Sequence, residues 1–231
     1  MRIKKIILIW IICLSPFFVF ITIMYLVKIN TITEFPIDGK RDSEMIYFSD
    51  LENPKNKLST IVYSSDGVIL GEYFEENRSN VHYLDISPVL IDALISTEDI
   101  RFKQHSGIDV RSLFRATYGA LSGNISSGGA STITQQLSKM LFTKQPSSGF
   151  ERVKQKLKEW VVAIELEKRY SKSEIIEMYL NRFDWINQAV GISSASKIYF
   201  NTKVKKLTTN QSAMLVGMLK NPSLYNPIRN P

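Results

Sequence analysis

The sequence predicts a mainly α-helical domain with one small β-hairpin, preceded by a single transmembrane helix. Three features of the 231-residue chain lead to this fold class: a long uncharged stretch near the N-terminus, two β-prone runs around a short turn, and helix-start signals that recur through the rest of the chain. The roughly 170 residues beyond a linker are enough to bury one hydrophobic core, so one domain is expected.

Residues 6–27 form the predicted transmembrane anchor. None of these 22 residues is charged, and a helix of this length crosses a hydrocarbon layer of roughly 30 Å. A cleaved signal peptide is the alternative, but its apolar run would be about 7–15 residues long and would end at small residues. The basic residues of segment 1–5 keep this tail in the cytoplasm under the positive-inside rule. The chain is therefore expected to be a single-pass protein of the inner membrane, with its domain outside.

A polar segment, residues 28–58, separates the anchor from the domain, which we place at residues 59–231. Because this segment shows no sustained periodicity, it is predicted to be a linker. Two β-prone runs, 60–63 and 68–74, then flank the turn sequence SSDG. This pattern predicts the β-hairpin.

Helix-start signals account for the α-helical part of the domain. Ser87 is followed by Pro88, which is the order of an N-cap and a first helical residue, and the predicted helix runs towards Glu98. The segments 171–174 and 208–211 have the spacing of capping boxes, and each precedes an apolar run. These signals place Glu98 at the end of a helix.

The net charge of +7 is concentrated in one segment, because residues 139–159 hold six basic and two acidic side chains. The predicted location outside the membrane argues against a nucleic-acid surface. A solvated helix face and a pocket for an anionic group at a membrane surface are the two other interpretations. The motifs on either side favour the pocket.

The segment 98–107 (EDIRFKQHSG) places the adjacent carboxylates Glu98 and Asp99 near Phe102 and His105. A positioned carboxylate can act as a general base that removes a proton from an attacking hydroxyl, and Glu98 is the candidate base. No second histidine or cysteine lies at ligand spacing from His105. His105 is therefore predicted to order the Glu98 loop by hydrogen bonding rather than to bind a metal.

The segment 128–139 (GGASTITQQLSK) combines glycines with hydroxyl and amide side chains and ends in Lys139. The glycines allow close backbone approach, and the polar side chains lie at a predicted helix N-terminus, where anions bind. Lys139 adds a point charge suited to phosphate. Further on, Glu159 points away from the main apolar stripe of helix 150–164, towards a partly apolar side. A carboxylate on such a face near lysines is a functional candidate.

These segments, with Lys156 and Glu159 in the third, resemble the first three motifs of the family 51 glycosyltransferases, the peptidoglycan polymerases found alone or as the N-terminal half of bifunctional penicillin-binding proteins. The resemblance covers roughly residues 59–231 and implies a lysozyme-like glycosyltransferase domain. It implies an inverting hexosyltransferase that polymerises lipid II into β-1,4 glycan strands and releases undecaprenyl pyrophosphate. The chain departs from the family pattern in three places: Met140 stands where asparagine is usual, Gln155 stands where arginine is usual, and segment 184–190 lacks the usual glycines.

The resemblance also assigns roles. Glu98 would deprotonate the acceptor, and Glu159 would assist the departing group. The positions expected to contact substrate are Asp99, Phe102, His105, Ser131, Thr132, Gln136, Lys139 and Lys156. The resemblance establishes no required cofactor. A divalent cation, Mg²⁺ or Mn²⁺, is an expectation without identified ligands, since the chain has no Asp-x-Asp motif.

The expected partners are lipid II, the growing glycan strand, membrane lipids and other cell-wall synthesis proteins, with no nucleic acid. The alternatives are a lysozyme-like lytic glycosidase and an inactive membrane-tethered remnant of a bifunctional protein. Water as acceptor needs no pyrophosphate pocket, so the basic segment argues against the glycosidase. Whether the protein is monofunctional or derives from a bifunctional one is left open by the sequence.

Overall fold

The computed structural model describes residues 60–73, 80–122, 129–142 and 148–229, together with the single positions Thr22 and Tyr25. The predicted cytoplasmic tail, the predicted linker and nearly all of the predicted anchor lie outside these residues. Within the described ranges, no helix is both long and apolar enough to span a membrane.

A β-hairpin is the first described element. Strand β1 (Thr60–Tyr63) pairs antiparallel with strand β2 (Ile69–Tyr73), and the register is irregular near Tyr63. In the turn, Gly67 has a φ of +81° and donates its N–H to the carbonyl oxygen of Ser64 at 3.0 Å. Glycine adopts this backbone conformation without steric cost, which explains its place in the predicted turn sequence.

The rest of the described chain is helical, so the domain is mainly α as predicted. The α-helices are α1 Pro88–Glu98, α2 Val110–Leu121, α3 Ile133–Phe142, α4 Gly149–Arg169, α5 Lys172–Arg182, α6 Ile192–Phe200 and α7 Thr209–Lys220. Short 3₁₀ helices span Tyr83–Asp85, Phe102–Gln104 and Val204–Lys206.

Side-chain caps define several helix starts. Both predicted capping boxes are present: Ser171 with Glu174 opens α5, and Thr208 with Gln211 opens α7. Helix α1 begins at Pro88 as predicted, but the hydroxyl of Ser87 makes no cap hydrogen bond. It donates instead to the carbonyl oxygen of Leu207 at 3.2 Å. Tertiary packing therefore redirects a side chain that local sequence assigns to a cap.

Helix α2 begins beside a buried ion pair. Asp109 accepts a hydrogen bond from the backbone N–H of Ser112 at 3.1 Å and lies 2.7 Å from Nη2 of Arg101. Burial opposes the charged form of Asp109, but the bonds from Arg101 and Ser112 outweigh it and lower the pKa of Asp109 to about 2. The carboxylate is therefore ionised throughout the neutral and mildly acidic range.

The core lies between the helices, with α3 packed against both α4 and α5, and α1 packed against α7. Helix α3 thus has a central position, and two of its apolar side chains, Ile133 and Leu137, are fully buried. Further buried members of the same core are Leu90, Leu94, Leu166, Ile175, Leu180, Ile192, Leu215 and Met218. This packing fixes the polar side of α3 relative to its neighbours.

Candidate active site

Glu98 is the last residue of α1, and its side chain is half-buried. Gln136 on α3 donates from Nε2 to Oε2 of Glu98 at 2.8 Å. The hydroxyl of Tyr179 on α5 in turn donates to Oε1 of Gln136 at 2.9 Å. Three helices therefore meet at this carboxylate through a chain of two hydrogen bonds.

Tyr179 is a site residue that the sequence analysis did not identify. Its side chain is fully buried. Burial, and secondly the negative charge of Glu98, raise the pKa of Tyr179 well above its usual value. A buried tyrosine needs a partner for its hydroxyl, and Gln136 supplies it. The sequence signal that could have drawn attention to Tyr179 is the segment 179–181, which resembles a further motif of the same family.

Asp99 connects the end of α1 to the start of α3. Its carboxylate oxygens each lie 3.0 Å from Nε2 of His105, and Oδ2 accepts the backbone N–H of Ile133 at 3.1 Å. Ile133 is the first residue of α3, where a negative charge is favoured by the helix dipole. His105, predicted to order the Glu98 loop, is thus bonded to the residue next to Glu98.

Thr132 supplies the cap of α3. Its hydroxyl accepts the backbone N–H of Gln135 at 3.1 Å and donates to the carbonyl oxygen of Gly107 at 2.7 Å. The side-chain oxygen of Gln135 accepts the backbone N–H of Thr132 at 3.4 Å. This second bond completes a capping box that the sequence analysis missed. Because Asp99, Phe102 and Thr132 are all buried, a direct contact of these three with substrate stays a prediction.

Gly107 lets the loop after Glu98 lie directly against α4. It has a φ of +92°, and a Cβ at this position would lie 2.8 Å from the carbonyl carbon and oxygen of Ala163. Any larger residue would push the loop away from α4. The glycine therefore fixes the distance between the loop and the helix that bears Glu159.

A second polar cluster, also absent from the sequence analysis, supports the same loop. Lys172 donates to the carbonyl oxygen of His105 and pairs with Glu167, both at 2.7 Å. Its Nζ also lies 4.3 Å from the centroid of the Phe102 ring. The hydroxyl of Thr134 donates to the same Glu167 oxygen at 2.6 Å. Helices α3, α4 and α5 thus all anchor the segment that follows Glu98.

Glu159 is 2% exposed, so the prediction that it lies off the solvent face is confirmed. Gln155 donates to its Oε1 at 3.0 Å, and Nζ of Lys156 lies 2.8 Å from Oε2. Lys156 also donates to the hydroxyl of Ser131 at 3.1 Å. The structure therefore groups Ser131, Lys156 and Glu159, and shows that the unusual Gln155 bonds to the second glutamate.

Helix α3 and the residues just before it connect the two carboxylates. Gln136 on this helix bonds to Glu98, while Ser131 bonds to the Lys156–Glu159 pair. Lys139, near the end of the same helix, is exposed. The arrangement offers a half-buried carboxylate that can accept a proton, and an ammonium group that can hold an anion.

The expected divalent cation does not fit the groups around Glu159. Both carboxylate oxygens already accept N–H groups, one from Gln155 and one from Lys156. A metal ion there would have to displace the ammonium group and lie close to its positive charge. Among the described residues, no set of three or more His, Cys, Asp or Glu side chains is grouped to hold a metal.

The chain is similar in sequence to known proteins of one family. A family model described as transglycosylase matches residues 66–231. Penicillin-binding protein 1A of Neisseria flavescens is 42% identical over 182 residues, which is 78% of this chain. The proteins of the same name from Pseudomonas aeruginosa and Neisseria gonorrhoeae are 40% and 41% identical over the same length.

The matched region is 22% of each of these relatives, so the chain spans about a fifth of their length. The family model, in contrast, covers well over half of this chain and includes both glutamates, α3 and the loop after Glu98. The chain therefore belongs to the transglycosylase family, the family 51 glycosyltransferases that its motifs resemble.

Proposed function

We propose that this domain is a peptidoglycan glycosyltransferase that polymerises lipid II into β-1,4 glycan strands with inversion, in a lysozyme-like fold. The observation that supports this most directly is that α3 and the residues just before it contact both carboxylate groups: Gln136 bonds to Glu98, and Ser131 bonds to the lysine that pairs with the buried Glu159. Membership of the transglycosylase family supports the same reaction class.

In the proposed reaction, the acceptor hydroxyl attacks the anomeric carbon of the donor sugar while Glu98 takes its proton. The bond between that carbon and the pyrophosphate oxygen breaks on the opposite face, and undecaprenyl pyrophosphate leaves. Gln136 donates a hydrogen bond to Oε2 of Glu98 and so fixes the orientation of the carboxylate group. The other oxygen, Oε1, is the one that would receive the proton.

Lys156, with Lys139, would hold the donor pyrophosphate. Negative charge grows on the leaving group as the bond breaks, and a preorganised ammonium group stabilises that change. Glu159 would assist departure by keeping Lys156 in place, because the two groups lie 2.8 Å apart and the carboxylate is buried. Ser131, bonded to the same lysine, would complete the anion-binding group.

The remaining proposals concern location and partners. Residues 6–27 would anchor the chain in the inner membrane and place the domain on its outer side, where a lipid-linked donor is exposed. Membrane lipids and other cell-wall synthesis proteins are the proposed further partners. These proposals rest on the uncharged N-terminal stretch and on family membership.

Purified full-length chain should convert labelled lipid II into long glycan that is resolved on a gel, and should release nothing soluble from finished peptidoglycan. Glu98→Gln should lower the rate by about 10²–10⁴-fold, because it keeps the shape but removes the base. Glu165→Gln is the matched control, since that carboxylate pairs with Lys168 and Arg169 on the outside of α4.

The outcomes separate the candidate functions. Release of soluble fragments without polymer would indicate a lytic glycosidase. Inactivity in both assays, with the fold intact, would indicate the inactive remnant. Polymer formation by Glu98→Gln within threefold of wild type would remove Glu98 from the mechanism.

A further inference from the structure

We propose, on the basis of the glycosyl transfer proposed above, that Tyr179 is a positioning residue for Glu98 and acts through the amide of Gln136. The tyrosine hydroxyl lies 2.9 Å from Oε1 of Gln136, and Nε2 of the same amide lies 2.8 Å from Oε2 of Glu98. Tyr179 itself makes no hydrogen bond to the glutamate in these contacts, so its effect passes through one side chain.

The positioning role of Tyr179 follows from the different hydrogen-bonding properties of the two ends of the Gln136 amide. One end is a carbonyl that only accepts, and the other is an NH₂ that only donates. An ionised carboxylate only accepts, so Glu98 is stabilised by one orientation of Gln136 and repelled by the other. A hydroxyl that donates to the carbonyl end selects the favourable orientation, and Tyr179 is placed to do this.

The environment of Tyr179 keeps its hydroxyl protonated. The side chain is fully buried, and burial together with the charge of Glu98 raises its pKa. The phenol therefore retains its proton through the working pH range and remains able to donate. Because burial also excludes water, no solvent molecule can readily replace the hydroxyl if it is removed.

The structure describes charged and titratable groups near Glu98 on its own element and on the two helices that pack beside it. Asp99 follows it in the chain and is bonded to His105, and α5 contributes Tyr179. Helix α3 contributes the neutral Gln136, with Lys139 one turn further along the same helix. Tyr179→Phe leaves Asp99, His105, Gln136 and Lys139 in place and removes the hydroxyl that orients the amide.

Tyr179→Phe should lower the turnover of lipid II by about 3–10-fold, the effect of weakening one hydrogen bond to a charged group. The KM should stay within twofold, because Tyr179 is not expected to touch substrate. The acid limb of the pH–rate profile should move to higher pH, since a bond to the charged form of Glu98 is weakened. A purely structural tyrosine would leave this limb in place.

Tyr199→Phe is the matched control. Its hydroxyl also donates to a partly buried acceptor, the carbonyl oxygen of Trp185 at 2.6 Å, and it lies on α6, away from Glu98. We expect the control to lose thermal stability to a similar extent and to keep the wild-type turnover and pH profile. Equal kinetic losses in both variants would overturn the proposal.

A double variant tests whether the effect of Tyr179 on Glu98 passes through Gln136. If Tyr179 acts through Gln136, then Tyr179→Phe combined with Gln136→Met should be no slower than Gln136→Met alone. Losses that multiply would mean that the tyrosine acts independently of the amide, which would overturn the proposal.

A readout without catalysis separates this inference from the proposed function. The carboxyl ¹³C signal of Glu98, assigned by its loss in Glu98→Gln, should titrate at a higher pH in Tyr179→Phe than in wild type. An unchanged titration would refute the positioning role even in an active enzyme. A wild-type protein that makes no polymer would refute the proposed function, whatever the titration shows.

Discussion

The close contact between the Glu98 loop and α4 can be tested at Gly107. Gly107→Ala adds a methyl carbon 2.8 Å from the carbonyl carbon and oxygen of Ala163 and 3.0 Å from the nitrogen of Ile164. These are backbone atoms within a helix of 21 residues, so they cannot rotate away as the end of a side chain would. The φ of +92° is also unfavourable for alanine.

Two free-energy costs, one of backbone strain and one of overpacking, add in Gly107→Ala. A positive φ costs an L-residue about 1–2 kcal/mol, and overpacking against atoms that cannot yield costs about 1–3 kcal/mol. The sum, about 2–5 kcal/mol, is a large share of the roughly 5–15 kcal/mol that stabilises a typical domain. At roughly 2–4 °C per kcal/mol for a domain of this size, the melting temperature should fall by roughly 4–20 °C.

Thermal unfolding followed by circular dichroism gives the measurement, with two other glycines as controls. Gly67→Ala has a similar positive φ of +81° but no atom within 4 Å, so it reports backbone strain alone. Gly129→Ala has neither the positive φ nor a neighbour and should melt as wild type does. If Gly107→Ala melts within 2 °C of Gly129→Ala, the inferred contact between the loop and α4 is wrong.

Three further predictions concern charge and hydrogen bonding. Lys156→Ala should lose most polymerase activity in the lipid II assay, whereas the exposed Lys154→Ala should stay near wild type; similar modest losses in both would mean a diffuse membrane attraction. Gln155→Ala should reduce turnover by about 3–10-fold, because the buried glutamate loses one donor, and full activity would show that this bond is unimportant. Asp109→Asn keeps the helix cap but removes the ion pair with Arg101. Because the folded pKa of Asp109 is lowered to about 2, its stabilisation, on the order of 2 kcal/mol, is present above about pH 4 and lost as the pH falls towards 2. Urea unfolding should therefore separate variant from wild type clearly at pH 6 and only slightly at pH 2, and an equal difference in stability at the two pH values would contradict this.

The sequence by itself determined the features that depend on neighbouring residues. The capping boxes at 171–174 and 208–211 form as predicted, because each needs only residues three positions apart. Helical periodicity likewise placed Glu159 off the solvent face, and α1 begins at the predicted Pro88 and has Glu98 as its last residue. These signals involve residues close together in the chain, so they can be recognised without knowledge of the fold.

Only the tertiary structure decided which side chains meet. Tyr179 reaches Gln136 across 43 positions through the packing of α5 against α3. Lys172 reaches His105, in the loop after α1, across 67 positions. Thr132, expected to contact the substrate, also caps α3 and bonds to Gly107. A hydroxyl or an amide has the same local signature whether it faces a ligand or a helix end. Its partner is set by which helices pack together, and that choice depends on the burial of the whole core rather than on any single motif.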